Sequence, residues 1–168
     1  RRGFDKSHIY YLSPKTWADF NGDGYNDRIN RIKADRNLTL DDLQAAFTWA
    51  KGLGKLDQPL YFFFMDHGGE GKLQLSPDLN ITAEQLKALL DDYQTTGNSL
   101  IAVIEACHSG SLIPVLTAPN RAVIASAKDS EFAYFFEKKG FSRFLADYLL
   151  KGASFSEAFT LAGRDQEK

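Results

Sequence analysis

Two short, wholly apolar runs, each breaking abruptly into polar residues and glycine, constrain this chain more than any other feature. Leu60-Tyr61-Phe62-Phe63-Phe64-Met65 passes directly into Asp66-His67-Gly68-Gly69. Leu100-Ile101-Ala102-Val103-Ile104 passes into Glu105-Ala106-Cys107-His108-Ser109-Gly110-Ser111. Runs of this length without alternation predict strands covered on both faces, as in a parallel sheet. Between them, Thr82 and Gln85 form a capping box that opens a helix, with Leu86, Leu89, Leu90 and Tyr93 as its buried stripe. A strand–helix–strand crossover makes neighbouring strands parallel and brings their C-terminal ends to the same sheet edge. With strands about 4.8 Å apart, His67 and Cys107 are expected close together although 40 residues separate them.

The rest of the chain fits an α/β class. His8-Ile9-Tyr10-Tyr11-Leu12 reads as a first strand, ended by Ser13-Pro14. Thr39, with Asp42 three residues on, caps a helix whose stripe is Leu43, Ala46, Phe47 and Ala50, and Gly52 suits its end. Lys72-Leu73-Gln74-Leu75 predicts one strand of a small hairpin, and Ala122-Val123-Ile124-Ala125-Ser126 a fourth strand. Two closing helices are expected, one over about 142–150. The other follows Ser154, which pairs with Glu157 and precedes Phe155, Ala158, Phe159 and Ala162. The 168 residues suit a single domain spanning 1–168. Net charge is −2 and no basic stretch stands out, which argues against a nucleic-acid binder. No apolar run approaches membrane-spanning length. The opening Arg1-Arg2-Gly3 reads as the start of a mature or trimmed piece.

Cys107 is the single cysteine, so no internal disulfide and no cysteine zinc cage is expected. A lone cysteine is usually a small buried hydrophobe. This one stands beside a histidine at the strand edge where open α/β sheets place their ligand crevices. A thiolate attacks a carbonyl while an imidazole manages protons. Gly68 and Gly69 suit close backbone approach to a substrate, with the Gly68 and Cys107 amides as oxyanion donors; the alternative is that the glycines only turn the chain. Alternation along an extended segment would point His108 away from the nucleophile, making it incidental. A zinc site on His67, Cys107 and His108 would lack further ligands. No G-x-S-x-G elbow is present.

These strings resemble the legumain-like cysteine peptidases, bacterial type, a family grouped with caspases, gingipains and separase. His67-Gly68 and Ala106-Cys107 match the two strand-end pairs, and Glu105-Ala106-Cys107-x-Ser109-Gly110-Ser111 is nearer to legumains than to caspases. The likeness runs from Ile9 to the last helices. It implies a three-layer α/β/α sandwich with a mainly parallel sheet. It also implies a His67–Cys107 dyad that cleaves peptide or protein substrates without a catalytic cofactor; some members also ligate peptides. Glu105 matches a position lining the substrate side-chain pocket, and Ser126 and Ala133 fall at further pocket positions. Glu105 and Cys107, two apart on an extended segment, would face one way; the alternative is that Glu105 pairs with a cation. Phe132, Phe135 and Phe136 are expected in core packing, with a different pocket wall as the other option. The family's first strand and helix are missing, so the strand at His8 lacks its neighbour. The missing N-terminal segment or another chain is the partner expected there. The stretch 116–121 looks exposed and is a candidate for self-cleavage.

A second signal lies upstream. Asp19-x-Asn21-x-Asp23-Gly24-Tyr25-x-Asp27 has the oxygen spacing of a calcium loop, with Tyr25 offering its backbone carbonyl. Asn30 stands where a bidentate Glu is usual, which predicts weak affinity; Asp35 is a substitute ligand. The alternative is a turn without metal. A structural Ca²⁺ site of this kind points to a secreted or cell-surface protein. The two other functional readings are a non-catalytic, calcium-dependent binding domain that retains the fold, and a peptide ligase at the same site.

Overall fold

Thr39 opens helix α1 (Leu40–Leu53): its hydroxyl accepts the Asp42 amide at 3.3 Å, and the Asp42 carboxylate accepts the Thr39 amide at 2.9 Å. The structure, a computed structural model, describes residues 6–13, 38–54, 56, 58–134 and 140–166. Helix α1 runs through Gly52 and ends at Gly54, one residue pair beyond the expected stop. The chain then enters strand β1 (Leu60–Met65), followed by the short β2 (Gly68–Gly69), β3 (Lys72–Ser76) and β4 (Leu79–Thr82). Helix α2 (Ala83–Gln94) starts from the expected Thr82–Gln85 capping box. Strand β5 (Leu100–Glu105), a 3-10 turn at Ser109–Leu112, helix α3 (Ile113–Leu116) and strand β6 (Arg121–Ala125) follow. Helices α4 (Phe141–Leu150) and α5 (Phe155–Gln166) close the chain. Ser154 and Glu157 make the reciprocal cap expected ahead of α5.

Strands β1, β5 and β6 form one parallel sheet in the order β1-β5-β6. Helices α1, α2 and α3 lie on one face and α4 and α5 on the other, which gives the three layers of an α/β/α sandwich. Strand β5 is central. Its Leu100, Ala102 and Ile104 enter the first core with Phe47, Leu86, Leu90 and Tyr93. Val103 enters the second core with Phe141, Leu145, Ala158 and Ala162. Burial of each such large side chain contributes about 1.5–3 kcal/mol. Strands β2, β3 and β4 form a separate antiparallel sheet beside this one.

Two expectations about the scaffold change. Strand β1 is not covered on both faces: Phe62 and Phe64 pack on the first core, but Phe63 and Met65 are 56% and 61% exposed. Helix α5 reaches only the start of that face, where Phe155 stacks on Tyr61 at 5.5 Å. His8–Leu12 does not form a strand. Lys6–His8 is a 3-10 turn and only Tyr11 makes a bridge, because a strand exists only where a neighbour supplies a hydrogen-bond ladder. The segment is held instead by side chains, with Tyr10 on Trp49 at 5.1 Å and Leu12 against the first core. The stretch 116–121 is exposed at Thr117, Pro119 and Asn120, as expected, and is anchored at both ends by buried Leu116 and the buried Arg121 side chain. Arg121 bonds Gln94, the Leu116 carbonyl and Asp91.

Candidate active site

Strands β1 and β5 run in strict register, from Leu60 opposite Leu100 to Met65 opposite Glu105. The Asp66 amide continues the ladder to the Glu105 carbonyl at 3.3 Å. His67 and Cys107 therefore follow equal lengths of paired strand and emerge at the same edge. A Cβ built on Gly68 would lie 2.6 Å from the Cys107 carbonyl oxygen and 2.8 Å from the Ala106 Cβ. Only glycine permits that approach. The Asp66 carboxylate accepts the His67 amide at 2.7 Å, and the His67 carbonyl accepts the Gln74 amide from β3 at 3.0 Å. The His67 ring is exposed and makes no hydrogen bond among the described residues. Cys107 is a free, half-buried thiol.

The backbone turns immediately after β5. His108 adopts the left-handed conformation at φ 57°, and the Ser109 and Ser111 amides close the turn onto the Ala106 and His108 carbonyls. The extended geometry that would have pointed His108 away from the Cys107 side chain is therefore absent. Its ring Nδ1 lies 2.8 Å from the Asp129 carbonyl oxygen, and its amide donates to the Glu131 carbonyl at 2.8 Å. The Cys107 amide donates to none of the described residues.

Each residue of the Ser109-Gly110-Ser111 string ties this turn to another segment. The Ser109 hydroxyl accepts the Ala127 amide and faces the Ala127 carbonyl. Gly110 packs so tightly under the loop after β6 that an added Cβ would lie 2.7 Å from the Asp129 amide nitrogen. The Ser111 hydroxyl donates to the His108 carbonyl at 2.6 Å and accepts the Gly71 amide at 2.9 Å. Sequence reasoning singled out this string without seeing these roles. Its composition was the signal, but the partners in other segments lie 18 to 40 residues away.

The expected pocket residues meet different surroundings. Glu105 is 1% exposed, and its carboxylate accepts the Ser142 amide at 3.1 Å, in the first turn of α4. Gly140 makes room for it: a Cβ there would lie 2.7 Å from Glu105 Oε1. Among the described residues, the partner of this buried acid is a helix start rather than a cation, an arrangement favoured by the helix dipole. The Ser126 amide extends the β6 ladder to the Ile104 carbonyl, while its buried hydroxyl oxygen has no partner among the described residues. The Ala133 side chain is buried, and what Ala133 presents to Cys107 is its carbonyl oxygen, 3.7 Å from the sulfur. Phe132 is not a core residue: it is 61% exposed and stands edge-on to the His108 ring at 5.1 Å. Phe135 and Phe136 lie outside the described residues, as do the calcium-loop positions Asp19, Asn21, Asp23, Tyr25, Asp27, Asn30 and Asp35.

A family model, the Peptidase C13 family, matches residues 53–157, more than half of the chain. The chain belongs to the Peptidase C13 family. The match takes in both strand ends, the Ser109-Gly110-Ser111 string and the loop after β6, so the legumain resemblance and the parallel α/β architecture agree with it. Comparison with curated proteins finds no match. C13 members are cysteine peptidases that act on proteins, and Cys107 is this member's single cysteine. No described helix is long and apolar enough to cross a membrane.

Proposed function

We propose that the chain is a cysteine endopeptidase in which Cys107 is the nucleophile and His67 its acid–base partner. The observation that carries this reading is the equal-length register of β1 and β5, with the Gly68 backbone seated against the Cys107 carbonyl. The Cys107 thiol gives its proton to His67, the sulfur attacks the scissile carbonyl carbon, and the carbonyl oxygen takes the developing negative charge. The Gly68 and Cys107 amides are the proposed donors to that oxygen. His67 delivers a proton to the leaving amine, the peptide bond breaks, and a thioester remains on Cys107. His67 then draws a proton from water, which attacks the thioester and frees the acid product and the thiol.

In this reading Glu105, Ser126 and Ala133 surround the substrate side chain before the scissile bond. The buried Ser126 hydroxyl, without a partner among the described residues, suits a polar group of the substrate, because an orphaned buried hydroxyl is otherwise costly. Ala133 acts through its carbonyl rather than its methyl group. The calcium loop over 19–30 rests on residue spacing alone and belongs to the same proposal, together with a secreted or cell-surface location where weak calcium sites fill. Thermal melts with millimolar calcium test it, and an unchanged melting temperature removes it.

The deciding experiment is cleavage of a peptide library scanning the residue before the scissile bond, beside a Cys107→Ala control. Cleavage lost in the control supports the reading. A fully folded chain that neither cleaves nor shows rapid alkylation of Cys107 near neutral pH refutes it.

A further inference from the structure

The residue after the nucleophile is bonded to the loop after β6 at two points. The His108 amide donates to the Glu131 carbonyl at 2.8 Å, and its ring Nδ1 lies 2.8 Å from the Asp129 carbonyl oxygen. A carbonyl only accepts, so Nδ1 carries the proton in this contact. The Phe132 ring rests edge-on against the imidazole at 5.1 Å. The next residue, Ala133, presents its carbonyl to the Cys107 sulfur at 3.7 Å. The loop is also closed on itself, with the Glu131 carboxylate accepting both the amide and the ammonium of Lys128. The turn at 108–110 is thus bonded to this loop at Ala127, Asp129 and Glu131.

We propose that His108 is a positioning residue for substrate binding, a clamp that holds the loop 127–133 over the nucleophile so that Phe132 and the Ala133 carbonyl face the bound peptide. The proposal rests on the reading of the chain as a peptidase. The left-handed backbone at His108 serves it by aiming the side chain at the loop instead of along the strand. Glycine at 108 would keep that backbone and lose the ring. Asparagine would keep the backbone and return an N–H donor of similar reach, since Asn tolerates the left-handed region.

The test compares His108→Gly and His108→Asn with the unaltered chain in three readouts: KM and kcat on a cleaved peptide, the alkylation rate of Cys107, and amide hydrogen exchange at Ala127 and Lys128. The expected result for His108→Gly is a KM raised about five- to tenfold, the effect of one lost hydrogen bond. Its kcat and alkylation rate should stay within about twofold, and exchange in the loop should quicken by a similar five- to tenfold factor. His108→Asn should restore most of KM and of exchange protection. Unchanged KM and exchange in the glycine variant overturns the proposal, as does failure of asparagine to restore them. A parallel fall in kcat and alkylation also overturns it, because His108 would then act on the thiol itself. If the unaltered chain cleaves no peptide, the peptidase reading fails separately. The exchange comparison still decides whether His108 holds the loop.

Discussion

The Ser111 hydroxyl accepts the amide of Gly71 at 2.9 Å while donating to the His108 carbonyl at 2.6 Å. One side chain thereby joins the hairpin that follows His67 to the turn that follows Cys107. Ser111→Ala should leave the Gly71 amide without its partner and cost about 1 kcal/mol of stability. Activity should fall about five- to tenfold as the two halves of the site lose their shared register. Urea melts and kcat/KM on one peptide check this, and an unaffected kcat/KM would show that the two segments hold their places independently.

Gly68→Ala is expected to be far more damaging to chemistry than to folding. The new methyl group would meet backbone and Cβ atoms of Cys107 and Ala106, none of which can swing aside. The segment carrying His67 must move, and a displacement near 1 Å between reacting groups costs about 100-fold in rate. The overpacking itself should cost about 1–3 kcal/mol. Cleavage rate and thermal melting of the variant separate the two effects.

Glu105 has a structural partner and a proposed substrate role, and two substitutions divide them. Glu105→Gln keeps a carbonyl oxygen for the Ser142 amide, so melting should stay within a few degrees while residue preference before the scissile bond changes. Glu105→Leu removes the acceptor at the start of α4 and should cost about 1–3 kcal/mol. An identical cleavage profile for Glu105→Gln would leave Glu105 as a helix anchor alone.

Acid should weaken the β6 anchor. The Lys87 ammonium and the Arg121 guanidinium hold the Asp91 carboxyl below the ordinary carboxylate range, against a smaller opposing effect of burial. A carboxyl with a depressed folded value adds stability above its unfolded value, near pH 4. That stability is lost as pH falls through the folded value. Asp91→Asn should therefore cost about 1 kcal/mol at pH 7, where buried Arg121 loses its charged partner. The gap between variant and unaltered chain should shrink below pH 4. Urea melts at pH 7 and pH 3 test the sign, and a gap that grows on acidification would contradict it.

The parts legible in the sequence were those governed by neighbours along the chain. Thr39 with Asp42, Thr82 with Gln85 and Ser154 with Glu157 each mark a helix start through bonds three residues long. The unbroken apolar run of β5 predicted a strand covered on both faces, and four of its five apolar residues are buried, all but Ile101. Strand β1 carries the same kind of pattern, yet Phe63 and Met65 are exposed, because coverage depends on how far α4 and α5 reach across the sheet. Helix α3 escaped notice because four residues with Pro114 near the start are too few for a periodic stripe. In the site, topology alone placed His67 and Cys107 at the same sheet edge. The bonds of His108 to Asp129 and of Ser109 to Ala127 could not be read that way, because the turn after Glu105 leaves the extended geometry that alternation assumes.

The matched lengths of β1 and β5 carry a constraint on how this protein can change over time. Each residue of strand advances the chain about 3.3 Å and alternates the side on which the next side chain emerges. Deleting one residue from Leu60–Met65 would draw His67 back by that distance and turn it to the other face, while an insertion in the loop before β1 would leave it in place. Lineages carrying this domain are therefore free to lengthen the loop before β1, but a length change in either strand must be answered in the other within the same generation of viable sequences.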